Sequence, residues 1–341
     1  MMKPEGIFRN QGPYVSTWGG TFKPERLGCY EGWCRYSENP LVHVNYGDIS
    51  EPCMLKHNGK YYLFSGWDSQ NKVTLQLSDD GVHLQRPVLG MFPQVWDAWE
   101  EEIGAPYVCV VKDTFHMWYT ARTGRYGDSI APSSCIVHAK SPNGIDWYRE
   151  EGPCMKADAL WEGYCIGYPS VLYENGKYRM WYSGGDIDIG GAIGYAESND
   201  GVHFIKYSQN PVFQGDKTIR WEHMGIGAAQ VVRYNEQYYM AYTAWEHQTH
   251  GRICFARSND GIHWSRHPNN PIITGGNLGF WDVNYVSAPS LLYEGDRWRM
   301  WYTGHRGLER NIGCIIHEGE DLGFDLAKRT RPPKNEEESE K

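Results

Sequence analysis

The sequence has no Cys-x-x-Cys pair, no His-Glu-x-x-His motif and no phosphate-loop or dinucleotide-binding glycine pattern, so the familiar metal and nucleotide sites are not signalled. No apolar run approaches the ~20 residues that a membrane span requires. The first twenty residues, MMKPEGIFRNQGPYVSTWGG, contain no apolar core of signal-peptide length. There is no surplus of basic charge either. Thirty-three Lys and Arg against 42 Asp and Glu leave a net charge of −9, which argues against nucleic acid or an anionic membrane as partner. The nine cysteines are odd in number, and Cys53, Cys109, Cys254 and Cys314 lie in apolar, strand-like runs. They read as reduced, buried thiols rather than a disulfide framework. A soluble, cytoplasmic chain with no cofactor and no metal is the expectation.

What is present is repetition. AESNDGVHF at 196–204 returns as ARSNDGIHW at 256–264, with weaker copies LQLSDDGVHL at 75–84 and HAKSPNGIDW at 138–147. Asp-Gly and Asn-Gly between alternating apolar stretches mark β-hairpin turns. A second phrase precedes each turn: EPCMLKHNGKYYLFSG (51–66), APYVCVVKDTFHMWYT (105–120), YPSVLYENGKYRMWYS (168–183), AAQVVRYNEQYYMAYT (228–243) and APSLLYEGDRWRMWYT (288–303). Each is an apolar strand, a polar turn and an aromatic strand. Four strands per unit of about sixty residues, five times over, predict an all-β chain folded as a five-bladed β-propeller with four-stranded antiparallel blades.

The fifth copy decays to IHEGEDLGF (316–324), and no Asn-Pro follows it. The missing piece sits at the other end, where Trp33 precedes Pro40 as Trp264 precedes Pro271. An N-terminal strand within 28–40 is therefore expected to close the ring and cover its open edges. Residues 1–27 would form an arm, 28–326 the propeller, and 327–341 a polar tail expected to be disordered.

An acidic residue and proline opening the first strand, an aromatic second strand and then A-x-S-x-D-G-x-x-W resemble the five-bladed propeller glycosidases. These are the family 43 arabinanases and xylosidases, with families 32, 68 and 130 as relatives. The resemblance implies an active site at one mouth of the axial channel, inversion, and a base carboxylate opening the first blade just before a proline. Glu51 matches that base position, although the family usually carries aspartate there.

Sameness between units builds the scaffold, so function is sought where the copies differ. The position before the strand-opening proline holds Glu51, Ala105, Tyr168, Ala228 and Ala288; one of the five is a carboxylate. The loops after the second strands place Asp68, Arg122, Gly185, Trp245 and His305 in one register. Such unlike residues at one repeated site imply a built pocket. Glycoside hydrolysis needs a second carboxyl group besides Glu51, and Asp186, Glu246 and Glu102 compete for that role. Arg122, His305 and Arg306 stand either to bind an anionic group or as exposed loop charges. Trp67 and Trp245 either stack on a sugar ring or cover sheet edges. Four Trp-acid pairs, Trp96-Asp97, Trp161-Glu162, Trp221-Glu222 and Trp281-Asp282, follow the repeat and read as structural.

The reading is a glycosidase-like hydrolase acting on a small carbohydrate at the channel mouth, with Glu51 activating water and Asp186 or Glu246 protonating the leaving group. The alternative is a protein of the same fold with non-hydrolytic chemistry, or one that only binds a sugar or a biosynthetic intermediate. A scaffold using its rim for protein contacts is a third reading.

Overall fold

The computed structural model describes residues 14–15, 21–22, 29–42, 44–93, 99–123, 133–186, 190–276 and 280–325. The expected tail lies outside these residues. Of the arm, only the pairing of Tyr14–Val15 with Thr21–Phe22 and the start of the strand at Cys29 fall within or beside them. Apart from short 3-10 turns, the regular structure described is β-strand, and no helix among the described residues is long and apolar enough to cross a membrane.

Five antiparallel modules follow one another. Their first strands are Ile49–His57, Glu102–Val111, Ile166–Glu174, Gly225–Tyr234 and Tyr285–Tyr293. Their second strands are Lys60–Trp67, Thr114–Thr123, Lys177–Asp186, Gln237–Trp245 and Arg297–Arg306. The tight turn between them takes positive φ at residues such as Asn58 and Gly59, or Asn175 and Gly176, which is why Asn-Gly recurs there. The Ser-x-Asp-Gly turn works differently. Gly201 has positive φ, while Asp200 caps the backbone N–H groups of Val202 and His203 with one carboxylate oxygen at 2.8 Å. Asp-Gly is thus kept there for a side-chain cap as much as for backbone freedom.

First strands of consecutive modules touch in sequence, and that of the fifth touches that of the first. The core lies between adjacent sheets. Phe64 and Leu75 of the first module pack with Met117 and Val137 of the second, and Trp301 of the fifth packs with Leu63 of the first. The indole N–H groups of Trp118, Trp181 and Trp301 each reach the turn carbonyl of the next module, Gly201, Gly261 and Gly81, at 2.8 Å.

The strand Trp33–Arg35 pairs antiparallel with Glu309–Glu318 of the fifth module. Its chemistry repeats that of the outer strands of the second, third and fourth modules. Arg149, Lys206 and Arg266 each reach a fully buried acid, Glu100, Glu162 and Glu222, which also accepts a tyrosine hydroxyl from Tyr119, Tyr182 and Tyr242. In the fifth module Arg35 does this for Asp282 and Tyr302. Two sequence readings change here. The second module's acid is Glu100, preceded by Trp99, rather than Asp97 in the pair Trp96-Asp97, which lies outside the described residues. The insertion in WDAWEEEIGAP offers two Trp-acid pairs, and the tyrosine of the second strand selects the later one. Cys34 is disulfide-bonded, contrary to the expectation of reduced thiols throughout, and its backbone partner across the strand pair is Cys29; seven other cysteines form no disulfide.

Candidate active site

Each first strand carries a bulge at the residue preceding its proline or the equivalent alanine, and Glu51, Ala105, Tyr168, Ala228 and Ala288 all have φ between 44° and 57°. A left-handed conformation is strained for such residues and persists only where neighbours enforce it. The enforcement is visible. The bulge N–H donates to a hydroxyl of an adjacent second strand in four modules: Glu51 to Thr303, Tyr168 to Thr120, Ala228 to Ser183 and Ala288 to Thr243, at 2.8–3.0 Å.

The second module departs from this rule. The Ala105 N–H donates to Oε2 of Glu51 at 2.5 Å, and Gly66, which offers no hydroxyl, stands where the other modules carry Thr120, Ser183, Thr243 and Thr303. Oε1 of Glu51 accepts the Tyr168 hydroxyl at 2.6 Å. Space for the carboxylate is made by absent side chains. A Cβ on Gly104 would lie 2.7 Å from Glu51 Oε2, and one on Gly66 would lie 2.9 Å from it. We expect Gly104→Ala to displace the flexible Glu51 side chain rather than the backbone. The melting temperature should then stay within a few degrees of wild type while turnover falls at least tenfold, as measured by thermal denaturation and initial rates.

Glu51 opens onto a cavity of about 410 Å³. Asp68, Glu102, Arg122 and Arg310 supply charge to its wall, and Trp245, Tyr285 and His305 supply aromatic surface. Asp68 Oδ2 accepts Ser50 Oγ at 2.8 Å and Arg310 Nη1 at 2.7 Å. The His305 ring stacks on Tyr285 with centroids 3.7 Å apart and meets Ser287 Oγ at 2.9 Å through Nε2. Burial, and then Arg310, depress His305 to about 3, so it is neutral at physiological pH.

Burial pushes the Glu51 carboxyl above the usual carboxylate range, and Asp68 pushes the same way. Arg122, the Tyr168 hydroxyl and the Ala105 N–H offset this only in part. A carboxyl raised in the folded state favours folding while protonated, and that contribution is lost as pH climbs from its unfolded value, about 4.3, through the raised one. Glu51→Gln should therefore melt higher than wild type at neutral pH, with the difference closing below about pH 4. Melting curves across that range test it.

The cavity thus brings together Glu51, Asp68, Glu102, Arg122, Tyr168, Trp245 and His305 from the sequence candidates. Four others do not line it. Trp67 donates its indole N–H to the Tyr46 carbonyl at 2.8 Å and packs over an apolar cluster, the sheet-covering alternative. Asp186 and Arg306 end their strands exposed to solvent. Glu246 is bound by Arg220 at 2.5 Å and Arg252 at 2.7 Å. Burial alone would raise its carboxyl, but these arginines outweigh that and hold it below its ordinary value, which suits a fixed anion and not a proton donor. Arg310 and Tyr285 escaped the sequence reading. Arg310 was findable, because the two-residue turn at Gly307-Leu308 pairs it with His305 across the hairpin.

Solved structures share this architecture. A thermostable family-43 glycoside hydrolase superposes with a TM-score of 0.62 at 18% identity, covering 83% of this chain and 93% of that one, a likeness of fold alone. By sequence, a 1,2-beta-oligomannan phosphorylase of Thermoanaerobacter sp. (strain X514) is 30% identical over 120 residues, which is 33% of this chain and 40% of that enzyme's length. An uncharacterized protein of Mycobacterium tuberculosis (strain ATCC 25618 / H37Rv) is 29% identical over 270 residues, 75% of this chain and 87% of its own. The family model for the glycosyl hydrolases family 32 N-terminal domain matches residues 106–281, just over half the chain. On that match, the chain belongs to the family 32 N-terminal-domain glycosyl hydrolases.

Proposed function

We propose that the chain is a five-bladed propeller over residues 28–326, closed by its N-terminal strand, that cleaves a glycosidic bond in a small carbohydrate at the cavity above Glu51. The ring reading is supported by the pairing of Trp33–Arg35 with the fifth module and by the contact between first and fifth modules. The observation that carries the enzymatic reading is Glu51 itself. It is the sole carboxylate among the five bulge positions, cradled by two glycines and open to the cavity. A carboxyl raised toward the working pH is a better base once ionised and a readier donor while protonated. In hydrolysis Glu51 activates water. Glu102 then serves as the second carboxyl, since of the three sequence candidates it alone lines the cavity. Asp68 is committed to Arg310 and Ser50 and shapes the local field.

A second reading is phosphorolysis, in which a phosphate anion attacks and Glu51 donates the proton. It is favoured by the two guanidinium groups of Arg122 and Arg310 in the cavity wall, suited to a tetrahedral anion, and by the partial likeness to an oligomannan phosphorylase. Aryl glycosides and β-1,2-mannobiose incubated with and without inorganic phosphate separate the two. Free sugar in both conditions supports hydrolysis, and a phosphate-dependent sugar phosphate supports phosphorolysis. Neither product from any glycoside, with sugar binding retained, would leave only a binding role.

A further inference from the structure

The five bulge positions are a symmetric ring of backbone sites, and three of them carry alanine. Only Glu51 and Tyr168 carry longer side chains, and these two meet each other. The Tyr168 hydroxyl reaches Glu51 Oε1 at 2.6 Å across 117 residues of sequence. Two departures from an otherwise plain repeat that converge on one hydrogen bond form a unit.

From this convergence we infer that Tyr168 is a positioning residue, which holds the Glu51 carboxylate in a single orientation and sets the pH at which it takes up its proton. The inference deepens the reading of Glu51 as the reacting carboxyl and rests on it for its catalytic meaning, although the hydrogen bond stands by itself. Tyr168 is well placed for the task. Its backbone is pinned by Thr120 Oγ1 at 2.9 Å, and Thr120 lies two residues before Arg122 on the same strand. That strand therefore fixes Tyr168 and presents a cation toward Glu51 from the same face. The other carboxylate oxygen is held by the Ala105 N–H. Glu51 is thus gripped at both oxygens, by an amide from the second module and a phenol from the third.

Among the described residues, the charged and titratable groups that share the cavity with Glu51 are Asp68 from its own module, Glu102 and Arg122 from the second, Tyr168 from the third, and Tyr285, His305 and Arg310 from the fifth. Among the first-strand bulge residues, Tyr168 alone supplies a side-chain donor to it. A hydroxyl donor favours the ionised carboxylate, so its loss moves the protonation midpoint upward.

The test is a pH titration that does not depend on knowing the substrate. Protein labelled with 13C at the glutamate carboxyl is followed by NMR in wild type and in Tyr168→Phe, and the Glu51 signal is identified by its disappearance in Glu51→Gln. The midpoint should rise by about one pH unit in Tyr168→Phe, the expected scale for removing one hydrogen bond to a charged group. Should the phenylalanine variant not fold, Tyr168→Leu gives the same readout. An unmoved Glu51 midpoint in a folded variant overturns the inference. Because no turnover is measured, that result is distinct from inactivity toward glycosides, which would instead count against the proposed function.

Discussion

Glu51→Gln is expected to lower kcat/KM by about 10²–10⁴, the usual contribution of a positioned acid or base. The substitution keeps size and shape, and the amide oxygen can still accept the Ala105 N–H that Glu51 now accepts at 2.5 Å. What it removes is the proton exchange. The comparison that gives this force is Glu246→Gln. Glu246 is equally an acid beside the mouth, but it is tied to Arg220 and Arg252 and lies outside the cavity lining. Its amide variant should keep turnover within a few fold of wild type. In wild type, the acidic limb of kcat/KM should lie above the ordinary glutamate value of about 4.3, because burial and Asp68 both raise Glu51. Equal losses in the two variants, or none in Glu51→Gln, would remove Glu51 from the chemistry.

The second large effect concerns the fold. Arg35→Met should cost about 3 kcal/mol of stability, because a fully buried Asp282 would lose its cation while staying enclosed. Arg266→Met should cost as much or more, since Arg266 engages both oxygens of Glu222. Similar costs in chemical denaturation would mean that the N-terminal strand is held as firmly as an outer strand within the chain. A cost below about 1 kcal/mol for Arg35 alone would mean that the closing strand is loosely attached. The first module is informative by contrast. Its second strand carries Ser65, whose buried hydroxyl has no hydrogen-bond partner, where the others carry the tyrosine of this network, and Arg86 is exposed, so among the described residues the module bearing Glu51 is the one without the buried acid–tyrosine–cation anchor.

The four candidates that miss the cavity share one cause. Asp68, Arg122, Trp245 and His305 occupy one register at the ends of the second strands, and all four line the cavity. Trp67, Glu246 and Arg306 are each one residue out of that register, and Asp186 follows Gly185, which holds it. Successive side chains on a strand point to opposite faces, so a step of one residue turns each of them away. The information was in the repeat; chemical appeal, a carboxylate or an indole near the mouth, took precedence over parity. The Trp-acid pair was misplaced for a related reason, since an insertion destroys local register and only the buried tyrosine restores it.

By itself the sequence determined the modules, their turns and the match between Trp33–Arg35 and Trp264–Arg266. These follow from side-chain alternation and turn chemistry, which act over a few residues and repeat wherever the residues do. Tertiary structure alone decided that Glu51 meets Tyr168 and that Asp68 meets Arg310, pairs separated by 117 and 242 residues. Their encounter depends on how each twisted sheet packs on the next, a property of the modules together that no single module carries.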